Sequence, residues 1–220
     1  MRSRPRHRLA GPVVDRTYRD RREAGAALAA LLGWHAGHTD VVVLGLARGG
    51  MPVAAEVAGR LGTPLDVLVV RKLGVPWAPE VAFGAIGPDE VVVFTEFADR
   101  LSVDEIDTVI ATERDELARQ DARYHADHPA ADLSGRTAVL VDDGLATGAT
   151  ARAAVEVARR RGATTTVLGV PVAAPDAARS LATVVDELVC PYRPENFDAV
   201  GRFYQDFRQI SDAEVHGLLS

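Results

Sequence analysis

The sequence of 220 residues contains little cysteine, few aromatic residues and no long apolar run. Its single cysteine, Cys190, excludes an internal disulfide and any zinc or iron–sulfur site built from a cysteine cluster. No stretch approaches about 18 consecutive apolar residues, which excludes a transmembrane helix. The basic N-terminus has no apolar run behind it, so it lacks the pattern of a secretory signal peptide. We therefore expect a cytoplasmic protein without a membrane partner.

Two nucleotide-binding patterns are missing as well. Asp142 and Asp143 end an apolar run as in a Walker B element, but such an element requires a Gly-x-x-x-x-Gly-Lys-Ser/Thr loop. The chain has one lysine, Lys72, and it lies in the tripeptide Arg71-Lys72-Leu73 instead. The dinucleotide-binding pattern Gly-x-Gly-x-x-Gly is also absent. These absences exclude P-loop nucleotidases and dinucleotide-dependent enzymes.

The overall composition is that of an ordinary globular protein. Apolar residues make up 47% of the chain and charged residues 25%, close to the averages for soluble proteins. The 31 acidic residues exceed the 25 basic ones, and the net charge of −6 argues against nucleic acid as the main partner. Residues 1–16 are rich in arginine and lack periodicity, so we expect a disordered or loosely packed basic arm. Residues 17–220 have the length of a single domain.

Hydrophobic periodicity predicts an α/β fold. Continuous β-branched apolar runs, typical of strands buried on both faces, alternate with segments whose apolar residues recur at helical spacing. The predicted strands are 41–46, 65–70, 137–141, 165–170 and 184–189, and the predicted helices are 18–32, 51–61, 102–125, 151–161 and 176–181. We also predict a hairpin formed by 82–86 and 91–95, and an exposed loop over the Gly/Pro-containing residues 73–81. This alternation indicates a doubly wound, mostly parallel sheet, in which ligands bind at the carboxyl ends of the strands.

Residues 142–150, here called the phosphate loop, carry the clearest chemical signal. Gly144 and Gly148 let the backbone turn tightly, and the N–H groups that follow lie at a predicted helix N-terminus, where anions bind. Thr147 and Thr150 add hydroxyl donors. This end of the loop is therefore expected to hold a phosphate.

The acidic end of the phosphate loop has a different chemistry. Asp142 and Asp143 are poor partners for phosphate but good acceptors for vicinal hydroxyls or for a Mg²⁺-bound ligand. A loop that binds phosphate at one end and hydroxyls at the other suits a sugar phosphate.

The segment from Val139 to Thr150 resembles the phosphoribosyl-pyrophosphate (PRPP) binding motif of type I phosphoribosyltransferases. It reads Val-Leu-Val-Asp-Asp-Gly-Leu-Ala-Thr-Gly-Ala-Thr, and the order of elements around it agrees over roughly residues 18–215. The resemblance implies that family's fold, with Asp142 and Asp143 binding the ribose 2- and 3-hydroxyls and Mg²⁺. The residues that it implies around the 5-phosphate are Ala146, Thr147, Gly148, Ala149 and Thr150, and Gly144 is expected to be a further substrate-binding residue.

Two further segments lie at predicted strand ends. Ala47-Arg48-Gly49-Gly50 resembles the family's pyrophosphate loop. The residues suit that role, since Gly49 and Gly50 permit close backbone approach and Arg48 brings a fixed charge. The alternative is that the segment is only a strand-to-helix turn. Arg71-Lys72 and the Gly/Pro segment after it resemble the family's basic dipeptide and flexible catalytic loop. Lys72 carries its charge on a flexible stem that can follow a departing pyrophosphate.

The implied reaction is substitution at ribose C1 through an oxocarbenium-like transition state, with release of pyrophosphate. Arg48, Lys72 and Mg²⁺ would neutralise the pyrophosphate, and Asp142 and Asp143 would stabilise the ribosyl cation. Closure of residues 73–81 would exclude water from the reaction.

The acceptor is less well specified. Ala146 stands where 6-oxopurine enzymes carry an aspartate, so adenine and orotate enzymes resemble the chain better there, although residues 73–80 match neither. Glu80 is either a general base or a charge that solubilises its loop. Phe197 belongs to an aromatic stretch, about residues 190–210, that either forms a hood stacking on the acceptor ring or packs in the core.

Three interpretations stay open. The first is PRPP-dependent transfer to a nucleobase-like nitrogenous acceptor, and the second is the same reaction with a non-nucleobase amine or hydroxyl. The third is a regulator that senses PRPP without turnover, which the basic arm favours and the overall acidity opposes. We expect a homodimer, because the family commonly pairs. The charged helix 102–125 is interpreted as a solvated face, and Cys190, His125 and the arginines at 159–161 as structural.

Overall fold

The computed structural model describes residues 6–9 and 17–219, which form a central parallel sheet between helices. Its strands are β1 (Arg6–Leu9), β2 (Val41–Leu46), β3 (Leu65–Leu68), β7 (Thr137–Val141), β8 (Thr165–Gly169) and β9 (Glu187–Cys190). They lie in the spatial order β1-β9-β8-β7-β2-β3, with each neighbouring pair parallel. The predicted doubly wound α/β class is confirmed.

The described residues form six α-helices with recognisable ends. These are α1 (Arg21–Leu31), α2 (Gly50–Leu61), α3 (Val103–Tyr124), α4 (Ala149–Arg160), α5 (Pro175–Ala182) and α6 (Asp212–Leu219). The Asp20 side chain caps α1, and Ser102 and Glu105 form the capping box that the sequence predicts for α3. Among residues 6–9 and 17–219, no helix combines the length and the apolar character that a membrane crossing needs.

Both faces of the parallel sheet are covered. Val42 and Leu44 pack with the buried residues of α4 and α5, whereas Val41 and Val43 pack with those of α1 and α2. Side chains therefore alternate between two apolar cores, as expected of a strand buried on both sides. The carboxyl ends of the strands are left as the edge at which loops can meet a ligand.

A second, antiparallel sheet follows β3. It consists of β4 (Arg71–Val75), β5 (Ala78–Ile86) and β6 (Val92–Phe94), in the order β4-β5-β6. The predicted hairpin is confirmed, because β5 pairs with β6 through residues 84–86 and 92–94. We call β4 and β5 together the ribbon.

The exposed loop predicted over residues 73–81 is wrong, because most of it belongs to the ribbon. Leu73 and Val75 are fully buried, so the segment alternates as a strand does. A side chain at Gly74 would place its Cβ 2.7 Å from the carbonyl oxygen of Pro79, so glycine here lets the two strands approach closely. The glycine and prolines that favoured a loop mark an irregular pairing and a turn instead.

The two ends of the chain also differ from expectation. Within the basic arm 1–16, Arg6–Leu9 forms β1 and pairs in parallel with β9, while residues 1–5 and 10–16 lie outside the described residues. The sequence did not predict α6, whose buried Val215 packs with β3, the ribbon and α3. Three 3₁₀ helices complete the described structure, at Gly33–His35, Glu96–Arg100 and Val200–Phe203.

Candidate active site at the carboxyl edge of the sheet

The loops after β2 and β7 pack against each other at the carboxyl edge of the sheet. A Cβ at Gly50 would lie 2.5 Å from the carbonyl oxygen of Val141 and 3.2 Å from Asp142 Oδ1. A Cβ at Gly49 would collide with the carboxylate of Asp143. Both glycines are therefore required by the close approach of the two loops, and the structure brings together these two predicted site segments.

Burial changes the acidity of the aspartate pair. Burial raises the pKa of Asp142 well above its usual range, and the neighbouring Asp143 carboxylate raises it further. Burial also raises the pKa of Asp143, and the Arg21 guanidinium opposes that rise. A cation or a hydroxyl donor at this position would stabilise the ionised pair.

Arg21, which the sequence did not single out, is the ion-pair partner of Asp143. Its Nε and a terminal nitrogen each lie 2.8 Å from Asp143 Oδ2, and its other terminal nitrogen donates to the Arg208 carbonyl at 2.9 Å. The guanidinium also lies over the Phe207 ring, 3.9 Å from its centroid. One side chain of α1 thus joins the phosphate loop to the C-terminal segment.

The phosphate end of the loop is open. Gly148 adopts a left-handed conformation with φ of 79° and precedes the first turn of α4, and no side chain caps that turn. Ala146 and Thr147 are exposed, while Leu145 is buried and its N–H donates to the Val172 carbonyl at 2.9 Å. An uncapped helix N-terminus beside a fixed backbone is an arrangement that binds phosphate.

The Ala47 to Gly50 segment leads from the phosphate loop to a cavity of about 710 Å³. The peptide bond between Ala47 and Arg48 is cis. Arg48 lines the cavity, and one of its terminal nitrogens lies 3.4 Å from Asp212 Oδ1 of α6. Arg48 is therefore placed at the cavity, as expected, but beside an acidic group that the sequence did not identify.

The other predicted basic residues line the same cavity from the ribbon. The Lys72 ammonium lies 3.4 Å from the carbonyl oxygen of Glu80 and 4.0 Å from its carboxylate, on the opposite strand. The Lys72 side chain is 43% exposed and that of Glu80 is 99% exposed. Arg71 pairs with Glu113 of α3. Arg48, Arg71 and Lys72 thus share one cavity, and Glu80 is a solvated carboxylate at its margin.

Helix α3 forms the far wall of this cavity, so interpreting it as a solvated face is incomplete. The wall includes Glu113, Glu116 and Gln120. The hydroxyl of Tyr124 donates to Asp212 Oδ1 at 2.6 Å, and burial together with this contact raises the pKa of Tyr124 to about 12. The cavity is therefore lined by basic groups on the strand side and by acidic groups on the α3 and α6 side.

Phe197 lies in an aromatic cluster at a different margin of the edge. Its ring stacks on Phe203, with 5.6 Å between the centroids. It also lines a smaller depression of about 400 Å³ with Pro175 and Arg179. Because the Ala174 N–H donates to the Leu145 carbonyl at 2.8 Å, this depression adjoins the phosphate loop. Phe197 does not belong to the lining of the larger cavity.

The donor set fits a magnesium ion only in part. The described residues contain no group of three or more His, Cys, Asp or Glu side chains arranged around a common point. Mg²⁺ commonly takes one or two carboxylates and completes its shell with substrate oxygens and water. Asp142 and Asp143 meet that smaller requirement.

Other titratable groups have structural roles. Hydrogen bonds to Asp121 and Asp66 raise the pKa of His125 to about 10 and join α3 to β3. Cys190 is buried, which raises its pKa to about 12, and its thiol contacts the Tyr192 carbonyl. These residues lie outside the site, in agreement with their interpretation from the sequence.

The residues that sequence reasoning missed are far from the motifs in the chain. Arg21 precedes Asp143 by 122 residues, and Asp212 follows Arg48 by 164. No local pattern marks either pairing. Only the proximity of α1 and α6 to the sheet edge reveals them.

The chain is similar to known proteins over most of its length. A family model described as "Phosphoribosyl transferase domain" matches residues 17–206. Two Mycobacterium tuberculosis proteins, from strains CDC 1551 and H37Rv, are each 50% identical to the chain over 203 residues, or 91% of its length. They are named "Putative phosphoribosyl transferase MT0597" and "Putative phosphoribosyl transferase Rv0571c". The chain covers 46% of their length, so it spans about half of these curated relatives.

A solved structure extends the comparison to three dimensions. The crystal structure of TT1426 from Thermus thermophilus is similar to the chain with a TM-score of 0.78 and 44% sequence identity. The match covers 92% of this chain and 97% of that one. The fold described above is therefore also found in an experimentally determined protein of similar sequence.

Proposed function

The chain belongs to the phosphoribosyl transferase domain family, and from this premise we propose that it transfers the 5-phosphoribosyl group of PRPP to a nitrogenous, nucleobase-like acceptor. Pyrophosphate is the second product. The observation that carries the proposal is the packing of Gly49 and Gly50 on Asp143 and Asp142. It joins the phosphate loop to a segment that opens into the cavity lined by Arg48, Arg71 and Lys72.

The site residues supply charge where the reaction develops it. The uncapped N-terminus of α4, with Thr147 and Thr150, would hold the 5-phosphate, and Asp142 would accept hydrogen bonds from the ribose. Arg48 and Lys72 would stabilise the leaving pyrophosphate from the cavity wall. Fixed charges at both ends of the breaking bond favour the transition state over the ground state.

Magnesium is proposed as the cofactor. When bound, it would supply positive charge to the pyrophosphate oxygens, held by the carboxylates of Asp142 and Asp143 together with substrate oxygens. The raised pKa of Asp142 is consistent with a carboxylate that ionises fully when a cation is near.

The acceptor would bind between the phosphate loop and the aromatic C-terminal segment. Phe197 offers an apolar surface for a flat ring, and Ala146 leaves the loop without the aspartate of 6-oxopurine enzymes. Glu80 stays a candidate general base. Movement of the ribbon toward the sheet edge would bring Lys72 and Glu80 over the bound substrate and exclude water.

Pyrophosphate release tests the proposal directly. The purified chain is incubated with PRPP, Mg²⁺ and a panel containing adenine, orotate, hypoxanthine, guanine and non-nucleobase amines. We expect Mg²⁺-dependent release with at least one nitrogenous acceptor. Asp142→Asn should abolish pyrophosphate release. The control is Asp40→Asn, which should not abolish it, because Asp40 is exposed and lies just before β2, at the opposite edge of the sheet.

Two other results would redirect the proposal. Tight PRPP binding without release for any acceptor would favour the PRPP-sensing regulator. Release with a non-nucleobase amine alone would keep the enzyme and change its acceptor class. Absence of PRPP binding would contradict all three interpretations. The homodimer and the cytoplasmic location stay predictions, and sedimentation of the purified chain would check the first.

A further inference from the structure

The two aspartates of the phosphate loop are held in different ways. Asp142 Oδ1 accepts a hydrogen bond from the N–H of Asp143, 2.9 Å away, which is a contact within the loop. Asp143 Oδ2 instead accepts a hydrogen bond from Nε of Arg21, at the start of α1, and forms an ion pair with one of its terminal nitrogens, 2.8 Å away. The pair is therefore not equivalent, although the two residues are adjacent in the motif.

Asp143 is fixed through its main chain as well as its side chain. The hydroxyl of Tyr204 donates to the carbonyl oxygen of Asp143 at 2.6 Å. Arg21 itself donates to the Arg208 carbonyl and lies over the Phe207 ring. Asp143 is thus attached by two independent side chains to the C-terminal segment 204–208.

The environment of Arg21 makes this attachment strong. The Arg21 side chain is 9% exposed and that of Asp143 is 14% exposed, so water competes little for either group. The planar guanidinium donates hydrogen bonds to Asp143 and to the Arg208 carbonyl while it stacks over the Phe207 ring. A lysine ammonium cannot make these three contacts with the same geometry. Loss of the guanidinium would leave a largely buried carboxylate without its charge partner.

We propose that Arg21 is a positioning residue for PRPP binding. It holds Asp143 as an anchor of the phosphate loop, so Asp142 is the carboxylate of the pair that meets the ribose. The same contacts join the phosphate loop to the aromatic segment that would receive the acceptor, so both substrates are bound by one connected unit. The identity of the ligand rests on the proposed function, whereas the anchoring of the loop does not.

Four single variants and one double variant, Arg21→Met with Asp143→Asn, test this proposal. Arg21→Met removes the charge and the forked donors, Arg21→Lys keeps the charge, and Asp143→Asn removes the partner. Leu28→Ala is the matched control, because Leu28 is a fully buried residue of the same helix that packs on the sheet away from the site. Two measurements are made on each: PRPP affinity by calorimetry with Mg²⁺, and amide hydrogen exchange of residues 142–148 without ligand.

The expected results separate anchoring from general destabilisation. Arg21→Met should weaken PRPP binding at least about tenfold and Arg21→Lys less, because displacing a substrate-positioning group by about 1 Å is costly. Arg21→Met combined with Asp143→Asn should weaken binding no more than the more damaging single change, since the two residues act as one unit. Amides 142–148 should exchange faster in Arg21→Met. Leu28→Ala should unfold more easily yet keep its PRPP affinity and its loop protection.

Different failures have different meanings. Wild-type affinity and unchanged exchange in Arg21→Met would overturn the positioning role, and so would fully additive effects of Arg21→Met and Asp143→Asn. Equal loss of affinity in Leu28→Ala would reduce Arg21 to a structural role. If the wild type binds no PRPP, the proposed function fails, and the exchange of residues 142–148 still determines whether Arg21 anchors the loop.

Discussion

The phosphate loop and the ribbon approach the same site with opposite physical properties. In the phosphate loop, Asp143 is anchored by Arg21 and Tyr204, and its neighbour Gly49 has no room for a side chain. In the ribbon, Lys72 is 43% exposed, and the carboxylate nearest to it, that of Glu80, is 99% exposed. The phosphate loop is therefore held firmly, whereas the two charged side chains of the ribbon extend into solvent. This difference suits the proposed function, in which PRPP binds on a fixed site and the Lys72 side chain reaches over it.

The largest effect on activity should come from a change in the phosphate loop. Asp142→Asn should lower kcat/KM at least about a hundredfold, about 2.7 kcal/mol of transition-state stabilisation, because it removes the carboxylate assigned to the ribose. Steady-state kinetics with the productive acceptor measure this. Asp40→Asn is the control. A loss in kcat/KM of less than about tenfold in Asp142→Asn would contradict the role assigned to the Asp142 carboxylate.

Adding a single methyl group beside the phosphate loop should also lower activity. Gly49→Ala should lower kcat/KM at least about thirtyfold, about 2 kcal/mol, because the new Cβ collides with the Asp143 carboxylate. Gly59→Ala is a matched control in α2, where an added Cβ meets no atom within 4 Å. That control should keep full activity and raise the free energy of unfolding by about 0.5–1 kcal/mol. Equal activity of the two variants would contradict the packing argument.

A change at the exposed Lys72 side chain of the ribbon should lower the catalytic rate and leave the stability of the fold unchanged. Lys72→Ala should lower kcat at least about tenfold, about 1.4 kcal/mol, while its half-exposed position leaves the melting temperature nearly unchanged. Kinetics and thermal unfolding of the same preparation measure both. Unchanged kcat would remove Lys72 from the mechanism, and a large drop in melting temperature would show that the Lys72 side chain stabilises the fold.

The smallest effect concerns the attachment of α3, the wall that faces the ribbon. Hydrogen bonds to Asp121 and Asp66 raise the pKa of His125 from about 6.5 to about 10. Its charged form therefore stabilises the fold fully below about pH 6.5, and this contribution is lost as the pH rises through about 10. We expect His125→Gln to be less stable than the wild type by about 1 kcal/mol at about pH 6, with the gap closing near pH 11. Denaturant unfolding at the two pH values measures it, and a gap independent of pH would contradict the assignment.

The difference between the phosphate loop and the ribbon also explains which features were predictable from the sequence. The phosphate loop is contiguous, and its two glycines and two aspartates are adjacent to the strand that carries them, so its position at the sheet edge was predictable. Its binding chemistry stays a prediction. The parallel sheet was predictable too, because strands buried on both faces leave uninterrupted apolar runs such as Val41–Leu46.

The ribbon was predicted as a loop because glycine and proline occur both in loops and at irregular positions of paired strands. Gly74 allows Pro79 on the opposite strand to come within contact, a reason that becomes visible only when the two strands are paired. Arg21 and Asp212 were missed for a related reason: their partners, Asp143 and Arg48, are more than 100 residues away along the chain. Pairings of this kind arise from the topology of the sheet and leave no local pattern.

The most direct test of the proposed PRPP site is a map of amide hydrogen exchange with and without PRPP and Mg²⁺. We predict that PRPP protects residues 47–50 and 142–150 most strongly, that the ribbon is protected more weakly, and that Asp142→Asn loses the protection at both loops. Protection elsewhere in the chain with unchanged exchange at these two loops would contradict it.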